Sequence, residues 1–437
     1  MRRAVADLSA LSFATGLSMV LGFAAQVFLT RALPPEDYGA LNAALAAITL
    51  ASPLAGFGVG KYWLRIFGAH GWSGMAWVRP SIALAAMGTT TAALLVSAWS
   101  QLSALDPSIS LVAVVLLPTL ILYPASETVY AKLQIEADYT GLSLRQLLPN
   151  LVRLGVASLA LALGLQLLEV ATLLSASLTV LALLFMRSVA KAGSGGLHLA
   201  GHGPRPEQVD ARPPTLSQIG QAAWPFTLSG LFYLVYYQSD IVLLGWLAGP
   251  EAAGVYYVAF AVMAAVFMVP SVLHQKYLLP KLHRWVEHDK PKLLAVYRFG
   301  NGATLALGVV IGALVFALAP FAIDLVFGPD YTVAGRVVQV LALAIPGRYL
   351  ATSVGAVLAT EDNMRRKVWL MGLSAVVNVT LNVLLIPGHA MIGAAMATVI
   401  SETVLLVSYL IAVRAFVFGP HALTGWTIVP GGWNADD

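Results

Sequence analysis

Between Leu8 and Arg414 the chain is an almost unbroken series of uncharged apolar stretches, each about 20 residues long, the length that crosses the hydrocarbon core of a bilayer. Inside that core every backbone N–H and C=O must be satisfied by the segment itself or by a closed sheet. The fold class is all-α and polytopic. Only 11% of the 437 residues are charged and mean hydropathy is +0.80, against roughly 25% charged residues in soluble domains. Few segments between the runs could house a soluble domain, so activity resides within or between the spans. About 12 transmembrane helices are predicted, near residues 8–33, 39–60, 80–103, 109–131, 145–166 and 168–187 and then 217–247, 252–279, 299–327, 333–359, 365–387 and 390–414.

The chain has no cysteine, which removes disulfides, thiolate metal sites and cysteine nucleophiles together. The Met1-Arg2-Arg3 start followed by an apolar segment has the form of a secretory signal, but the segment runs on to Leu33 without a small-residue cleavage site and reads as a retained first span. Net charge is +4, and its distribution fits membrane topology better than a nucleic-acid partner. With the N-terminus cytoplasmic, all of the 25 Lys and Arg lie on or near the inner face except Arg31 and Arg336 outside and Arg153 and Arg348 within spans. That bias is the positive-inside signature, and it places both termini in the cytoplasm.

A short frame, P-E-x-x-G, occurs at Pro35, Glu36 and Gly39 and again at Pro250, Glu251 and Gly254. Locally it is a helix start: Pro fits the first turn, Glu meets the positive end of the helix dipole, and Gly permits close packing. Each copy joins the first two spans of a set of six on the outer side, which predicts two six-helix lobes related as parallel repeats. The stretch "KAGSGGLHLAGHGPRPEQVDARPP" has no apolar period and reads as a linker. The expected domains are therefore a first lobe over 1–187, a cytoplasmic linker over 188–216, a second lobe over 217–414 and a cytoplasmic tail over 415–437.

Four stretches carry a family resemblance: "LTRALPPEDYGALNAALAAITLASPLAGFGVGKYWLRIF", "SDIVLLGWLAGPEAAGVYYVAFAV", "VFGPDYTVAGRVVQVLALAIP" and "VVNVTLNVLLIPGHAMIGAAMATVISE". Together they resemble the polysaccharide transporter branch of the multidrug and oligosaccharidyl-lipid flippase superfamily, most specifically in the order Asn378, Asn382, Ile386, Pro387, Gly393, Ala394 and Glu402. The resemblance implies a two-lobed flippase, working by alternating access in a bacterial inner membrane. Its implied substrate is a lipid-linked oligosaccharide or polysaccharide repeat unit on an undecaprenyl-type carrier, as in O-antigen or exopolysaccharide synthesis. Membrane lipids and other polysaccharide assembly proteins are the implied partners; no cofactor, metal or nucleic acid is expected.

A lipid-linked oligosaccharide brings phosphate and hydroxyl groups that cost several kcal/mol apiece if left unsolvated in hydrocarbon. A flippase for it needs a hydrated lane with cations for phosphate and polar or aromatic side chains for sugars. Five ionisable residues lie inside predicted spans: Glu127, Arg153, Asp240, Arg348 and Glu402. A charge at a helix centre costs about 2.5–3.5 kcal/mol on insertion scales, so each should face a cavity, a partner or water. Arginine's planar, permanently charged fork can hold two phosphate oxygens, which makes Arg153 and Arg348, one per half, the leading anion-binding pair. The competing reading pairs either of them with Asp240, Glu127 or Glu402 as a structural ion pair.

Gln146, Asn150 and Arg153 share one helix face, with Pro149 beside them set to bend the helix or leave a carbonyl free. The stripe lines a cavity in one reading and glues neighbouring helices in the other. Ser229, Tyr233, Tyr236, Tyr237 and Asp240 form an aromatic, polar face suited to sugar rings, or else an interfacial tyrosine belt. Asn378 and Asn382, one turn apart, and Glu402 on the next span read as interhelical hydrogen-bonding residues, with Glu402, Asp240 or Glu127 as candidates for ion coupling. Lys61 and Arg65 at the inner end of the second span are candidates for collecting the headgroup, or serve topology alone. Gly56 and Gly60 form G-x-x-x-G, a close-packing motif.

"GVGKYW" is not a phosphate loop, because Ala55 stands where the first Gly is needed and Tyr62 where Ser or Thr belongs. His198 and His202 in "HLAGH" lack the Glu of a zinc protease motif, and Asn378-Val379-Thr380 matches a glycosylation site inside a span. Two further functions compete. A cation-coupled multidrug exporter of the same superfamily would favour carboxylates, and the first span has none between Asp7 and Glu36. A membrane glycan polymerase or ligase would need a sizeable outer loop with catalytic groups, and the outer connections are short; the expectation is a transporter, not an enzyme.

Overall fold

The computed structural model describes residues 2–102, 106–191, 197–203, 213–271, 289–359 and 361–428. Parts of the expected linker (192–196 and 204–212) and the end of the expected tail (429–437) lie outside these described residues. Among the described residues there are helices and no strand. The first set is α1 (Arg2–Ala32), α2 (Pro35–Gly56), α3 (Val59–His70), α4 (Met75–Leu102), α5 (Pro107–Leu116), α6 (Leu122–Ile135), α7 (Tyr139–Leu163) and α8 (Leu167–Lys191). The second is α9 (Leu216–Leu247), α10 (Pro250–Ser271), α11 (Lys290–Phe327), α12 (Thr332–Ala342), α13 (Ile345–Val357) and α14 (Glu361–Val413).

Eight stretches of the described residues are long and apolar enough to cross a membrane, nine with the bent pair Pro329–Ala342 and Ile345–Val357. Two of them, Pro35–Gln101 and Asn363–Leu423, are 67 and 61 residues long, several times the roughly 20 residues of one crossing. The second of these turns at Ala390, whose φ of 45° and ψ of −128° interrupt α14. With α9 as the seventh, the helices follow the order of the predicted spans, and the protein is a multi-pass membrane protein.

Two breaks depart from the predicted helices. The second span ends at Gly56 because Phe57 (φ 46°) and Gly58 (φ 65°) are left-handed, so Gly56 and Gly60 belong to different helices. Both still receive α6: a Cβ on Gly60 would lie 2.6 Å from the Glu127 carbonyl oxygen, and one on Gly56 would lie 2.9 Å from the Tyr123 ring. The tenth span is bent by 48° between α12 and α13. Pro346 is the cause, because it donates no N–H and its ring opposes the carbonyl four residues earlier.

The chain divides into two compact units, residues 1–234 with 249–254, and residues 235–248 with 255–437. The first is centred on Trp63, Phe67, Val129 and Phe185, where the indole Nε1 of Trp63 donates to Ser81 Oγ at 2.7 Å. Both copies of the repeated frame belong to this unit and pack on each other: a Cβ on Gly39 would overlap the Pro250 carbonyl, and one on Gly254 the Pro35 carbonyl. The reciprocal overlap gives glycine a steric role at both positions. Part of the expected linker also docks here. Leu197 and Leu199 are buried, Ala200 N donates to the Ile135 carbonyl at 3.1 Å, and Trp72 Nε1 donates to the Gly203 carbonyl at 3.0 Å. The second unit is centred on Tyr297, Val354, Leu358, Tyr409 and Val413.

Candidate functional site

In the second unit the Pro346 break starts α13 afresh, so that Arg348 falls in its first turn, at the positive end of the helix dipole. Two like charges in one place demand compensation, and it comes from Glu402 on the second arm of α14. Arg348 Nη1 donates to Glu402 Oε1 at 2.9 Å, with side chains 17% and 4% exposed. Arg348 Nη2 donates to Tyr237 Oη at 2.9 Å, and Nη1 lies 3.5 Å from Tyr236 Oη. The guanidinium carbon sits 5.3, 5.7 and 5.6 Å from the ring centres of Tyr237, Tyr236 and Phe267, within range of cation–π attraction. Lys367, near the start of α14, is close enough for its charge to act on Arg348.

Asp240 is handled differently. It is 5% exposed and takes its hydrogen bonds from neutral groups: Tyr256 Oη and Thr398 Oγ1 donate to Oδ2, each at 2.7 Å, and Asn382 Nδ2 donates to Oδ1 at 2.6 Å. Asn378 extends the network, accepting from Asn382 Nδ2 at 3.0 Å and Ser239 Oγ at 3.1 Å and donating to Ser401 Oγ at 3.3 Å. Charge-assisted hydrogen bonds of this kind are roughly twice as strong as neutral ones, which is how a carboxylate remains inside a span. A cleft of about 30 Å³ runs beside both clusters, walled by Tyr236, Tyr237, Asp240, Phe260, Phe267 and Glu402 among others. It has room for about two waters, and it joins aromatic faces to two carboxylates, with Arg348 bonded to three of its wall residues.

In the first unit α1 and α7 pack lengthwise. Asn150 Nδ2 donates to the Ser18 carbonyl at 2.9 Å and to Ser18 Oγ at 2.8 Å, while Ser18 Oγ donates to the Gln146 carbonyl at 3.2 Å. Pro149 has no N–H for the Arg145 carbonyl one turn back, and Tyr130 Oη reaches that oxygen at 3.4 Å. Arg153 is exposed, with Nη1 3.4 Å from Asn150 Oδ1, and it forms no ion pair among the described residues. Glu127 packs under Gly56 and Gly60, beside Tyr123 and within electrostatic reach of Lys61. Lys61 and Arg65 are exposed on α3, and Tyr233 is exposed on the part of α9 in this unit.

The structure thus gathers Tyr236, Tyr237, Asp240, Arg348, Asn378, Asn382 and Glu402 into one region of the second unit. Gln146, Asn150 and Arg153 lie together in the first, apart from Glu127, Lys61 and Arg65. Sequence reasoning missed Ser18, Ser239, Tyr256, Thr398, Ser401 and Lys367. Thr398 lies one helical turn before Glu402, and Ser401 lies three residues after Thr398; that spacing was the available signal. Among the described residues no group of three or more His, Cys, Asp or Glu is placed to hold a metal ion.

A family model described as "Polysaccharide biosynthesis protein" matches residues 4–284. A curated relative from Haloferax volcanii, described as a probable low-salt glycan biosynthesis flippase, Agl15, is 26% identical over 213 residues, covering 46% of this chain and 43% of the relative. The chain therefore spans less than half the length of the curated relative that it matches. Among solved structures, the lipid II flippase MurJ in an inward closed conformation aligns with a TM-score of 0.71 at 12% identity, over 92% of this chain and 87% of that one. An inward-facing multidrug resistance transporter of the MATE family, in the MOP superfamily, aligns with the same TM-score at 15% identity, over 91% and 94%. These two likenesses are of fold.

Proposed function

The chain belongs to the polysaccharide biosynthesis protein family, and from that membership we propose that it is a flippase. It carries lipid-linked oligosaccharide or polysaccharide repeat units from the inner to the outer leaflet of a bacterial inner membrane by alternating access. The observation that carries this reading is the meeting, inside one apolar unit, of Arg348 with Tyr236, Tyr237 and a cleft. A guanidinium suits phosphate oxygens, tyrosine rings suit sugar faces, and the prenyl tail stays in lipid. Arg153, exposed and beside Asn150, is the second phosphate contact, and Lys61 and Arg65 collect the headgroup at the inner side. No chemical step is required of any residue. The description of the Haloferax volcanii relative as a probable glycan biosynthesis flippase supports the same reading. Asp240 and Glu402 are the carboxylates available for ion coupling.

The test is transfer of a defined undecaprenyl diphosphate-linked oligosaccharide between the leaflets of proteoliposomes containing the purified full chain. Exposure of the sugar on the far leaflet only when the protein is present supports the proposal. Exposure no faster than in empty vesicles, with efflux of a cationic drug instead, overturns it in favour of the exporter.

A further inference from the structure

Three basic residues in a row, Arg365, Arg366 and Lys367, stand near the start of the first arm of α14, and Arg414 directly follows its second arm. The positive-inside bias asks only for charge at such a place, but the structure gives these side chains different surroundings. Lys367 turns inward, with its Cε 3.7 Å from where a Cβ on Gly355 would stand. Arg365, Arg366 and Arg414 stay exposed. Arg366 is held in place: Nη1 donates to Asn363 Oδ1 at 2.7 Å, and the guanidinium carbon sits 4.1 Å from the ring centre of Phe416. The chain leaves α14 through a π turn, Arg414–Phe418. There Arg414, Ala415 and Phe416 are exposed in succession, while Val417 and Phe418 pack on the core. Such turns widen a helix locally and are frequent at functional sites.

Each arm also carries an exposed apolar stripe that runs up to an arginine. On the first arm Val376, Leu373 and Trp369 lead at helical spacing to Arg365, and on the second Val407 and Ile411 lead to Arg414. The arms lie side by side, bonded through Asn378 and Ser401 and touching again through Arg366 and Phe416. None of the three arginines is in an ion pair among the described residues. An arginine pinned by a ring and an amide has given up side-chain freedom in advance, so gripping a phosphate with its remaining N–H groups costs less. We propose that this corner of the second unit binds an anionic phospholipid from the leaflet that the arginines face. Arg366 grips the phosphate, Arg365 and Arg414 flank it, and the acyl chains lie along the two stripes. Basic pockets between transmembrane helices hold anionic headgroups in this way. The lipid is a standing component of the surface, separate from any cargo, and its phosphate bridges like charges that otherwise repel one another.

The experiment is native mass spectrometry of the full chain in detergent, with dioleoyl phosphatidylglycerol or dioleoyl phosphatidylcholine added at equal concentration. Wild type should retain the anionic lipid in preference to the zwitterionic one. Arg366→Ala and Arg414→Ala should each lower that retention about fivefold, the worth of one basic residue beside an anionic headgroup. Arg366→Lys, which keeps the charge and loses the fork, should fall between wild type and Arg366→Ala. Phe416→Ala, which keeps every charge and removes the ring, should also lower retention. Arg187→Ala takes an exposed arginine from the first unit instead and should retain the lipid as wild type does. Equal retention of the two lipids by wild type overturns the proposal. So does a loss in Arg187→Ala as large as that in Arg366→Ala, because net charge alone would then explain both. A double variant, Arg366→Ala with Arg414→Ala, that holds phosphatidylglycerol as wild type does overturns it too. Displacement of the bound lipid by an equal concentration of undecaprenyl diphosphate assigns the corner to a cargo headgroup and overturns the assignment to a resident lipid.

Discussion

Arg153 and Arg348 enter the sequence as equals, one intramembrane arginine in each half, yet the structure houses them on different terms. Arg153 projects from α7 of the first unit into an exposed position, where its polar contact is the Asn150 amide oxygen at 3.4 Å. Arg348 lies in a wall of the second unit, held by a carboxylate, two phenols and three rings. The first has no ion-pair partner among the described residues, and the second recruits neighbours. The difference teaches that an arginine inside a span is not by itself a phosphate site. What matters is how its charge is compensated, and that is a property of the neighbours.

The largest effect should come from removing one side of the enclosed pair. Arg348→Ala leaves Glu402 buried without its cation, and breaking a buried pair typically costs about 3–5 kcal/mol. Thermal unfolding in detergent should show that loss, and leaflet transfer should stop. The double variant Arg348→Met with Glu402→Leu sharpens the point, since replacing both charges by apolar groups is often neutral or stabilising by about 1–4 kcal/mol. Transfer should remain absent; a double variant that transports would reduce the pair to scaffolding.

A smaller effect is expected at Asn150. Asn150→Ala removes two hydrogen bonds to Ser18, interhelical bonds worth about 0.6–1.7 kcal/mol in membranes, and should loosen α1 from α7 as read by the melting temperature. Arg153→Ala should shift stability by less than about 0.5 kcal/mol, the range for exposed positions, while still lowering transfer. If Arg153→Ala destabilised the protein as much as Arg348→Ala, the contrast between the two sites would be gone. The smallest effect is ionic. Raising salt shortens the screening length from about 10 Å at 0.1 M to about 3 Å at 1 M, so residual binding of a diphosphate probe to Arg348→Ala, which leaves Arg153, should weaken with salt more than binding to Arg153→Ala.

Much of this was readable beforehand because hydrocarbon is a strict solvent. It forced the helices, fixed their length and made each intramembrane charge conspicuous, so that Arg153, Asp240, Arg348 and Glu402 could be named from the chain alone. What could not be read was the pairing. Three carboxylates were open to Arg348, and the choice of Glu402 depends on the turn at Ala390, which sets the second arm of α14 against α13. Two partners of Asp240 were hidden for another reason: Tyr256 and Thr398 are neutral residues that occur throughout such spans and carry no signal until a carboxylate is placed among them. Lys367 was masked by company, as the third of three consecutive basic residues at a helix end that topology already explained. Pro149 was the reverse case, since the freed carbonyl it creates was foreseeable and only its acceptance of Tyr130 awaited the fold.

The most direct measurement is a paired transfer assay in proteoliposomes, with two glycolipids that share sugar and tail and differ only in the diphosphate between them. A protein that guides its cargo by Arg153 and Arg348 should move the diphosphate-linked lipid and leave the neutral one in its original leaflet. Equal transfer of both would contradict it, because neither arginine would then be selecting what crosses.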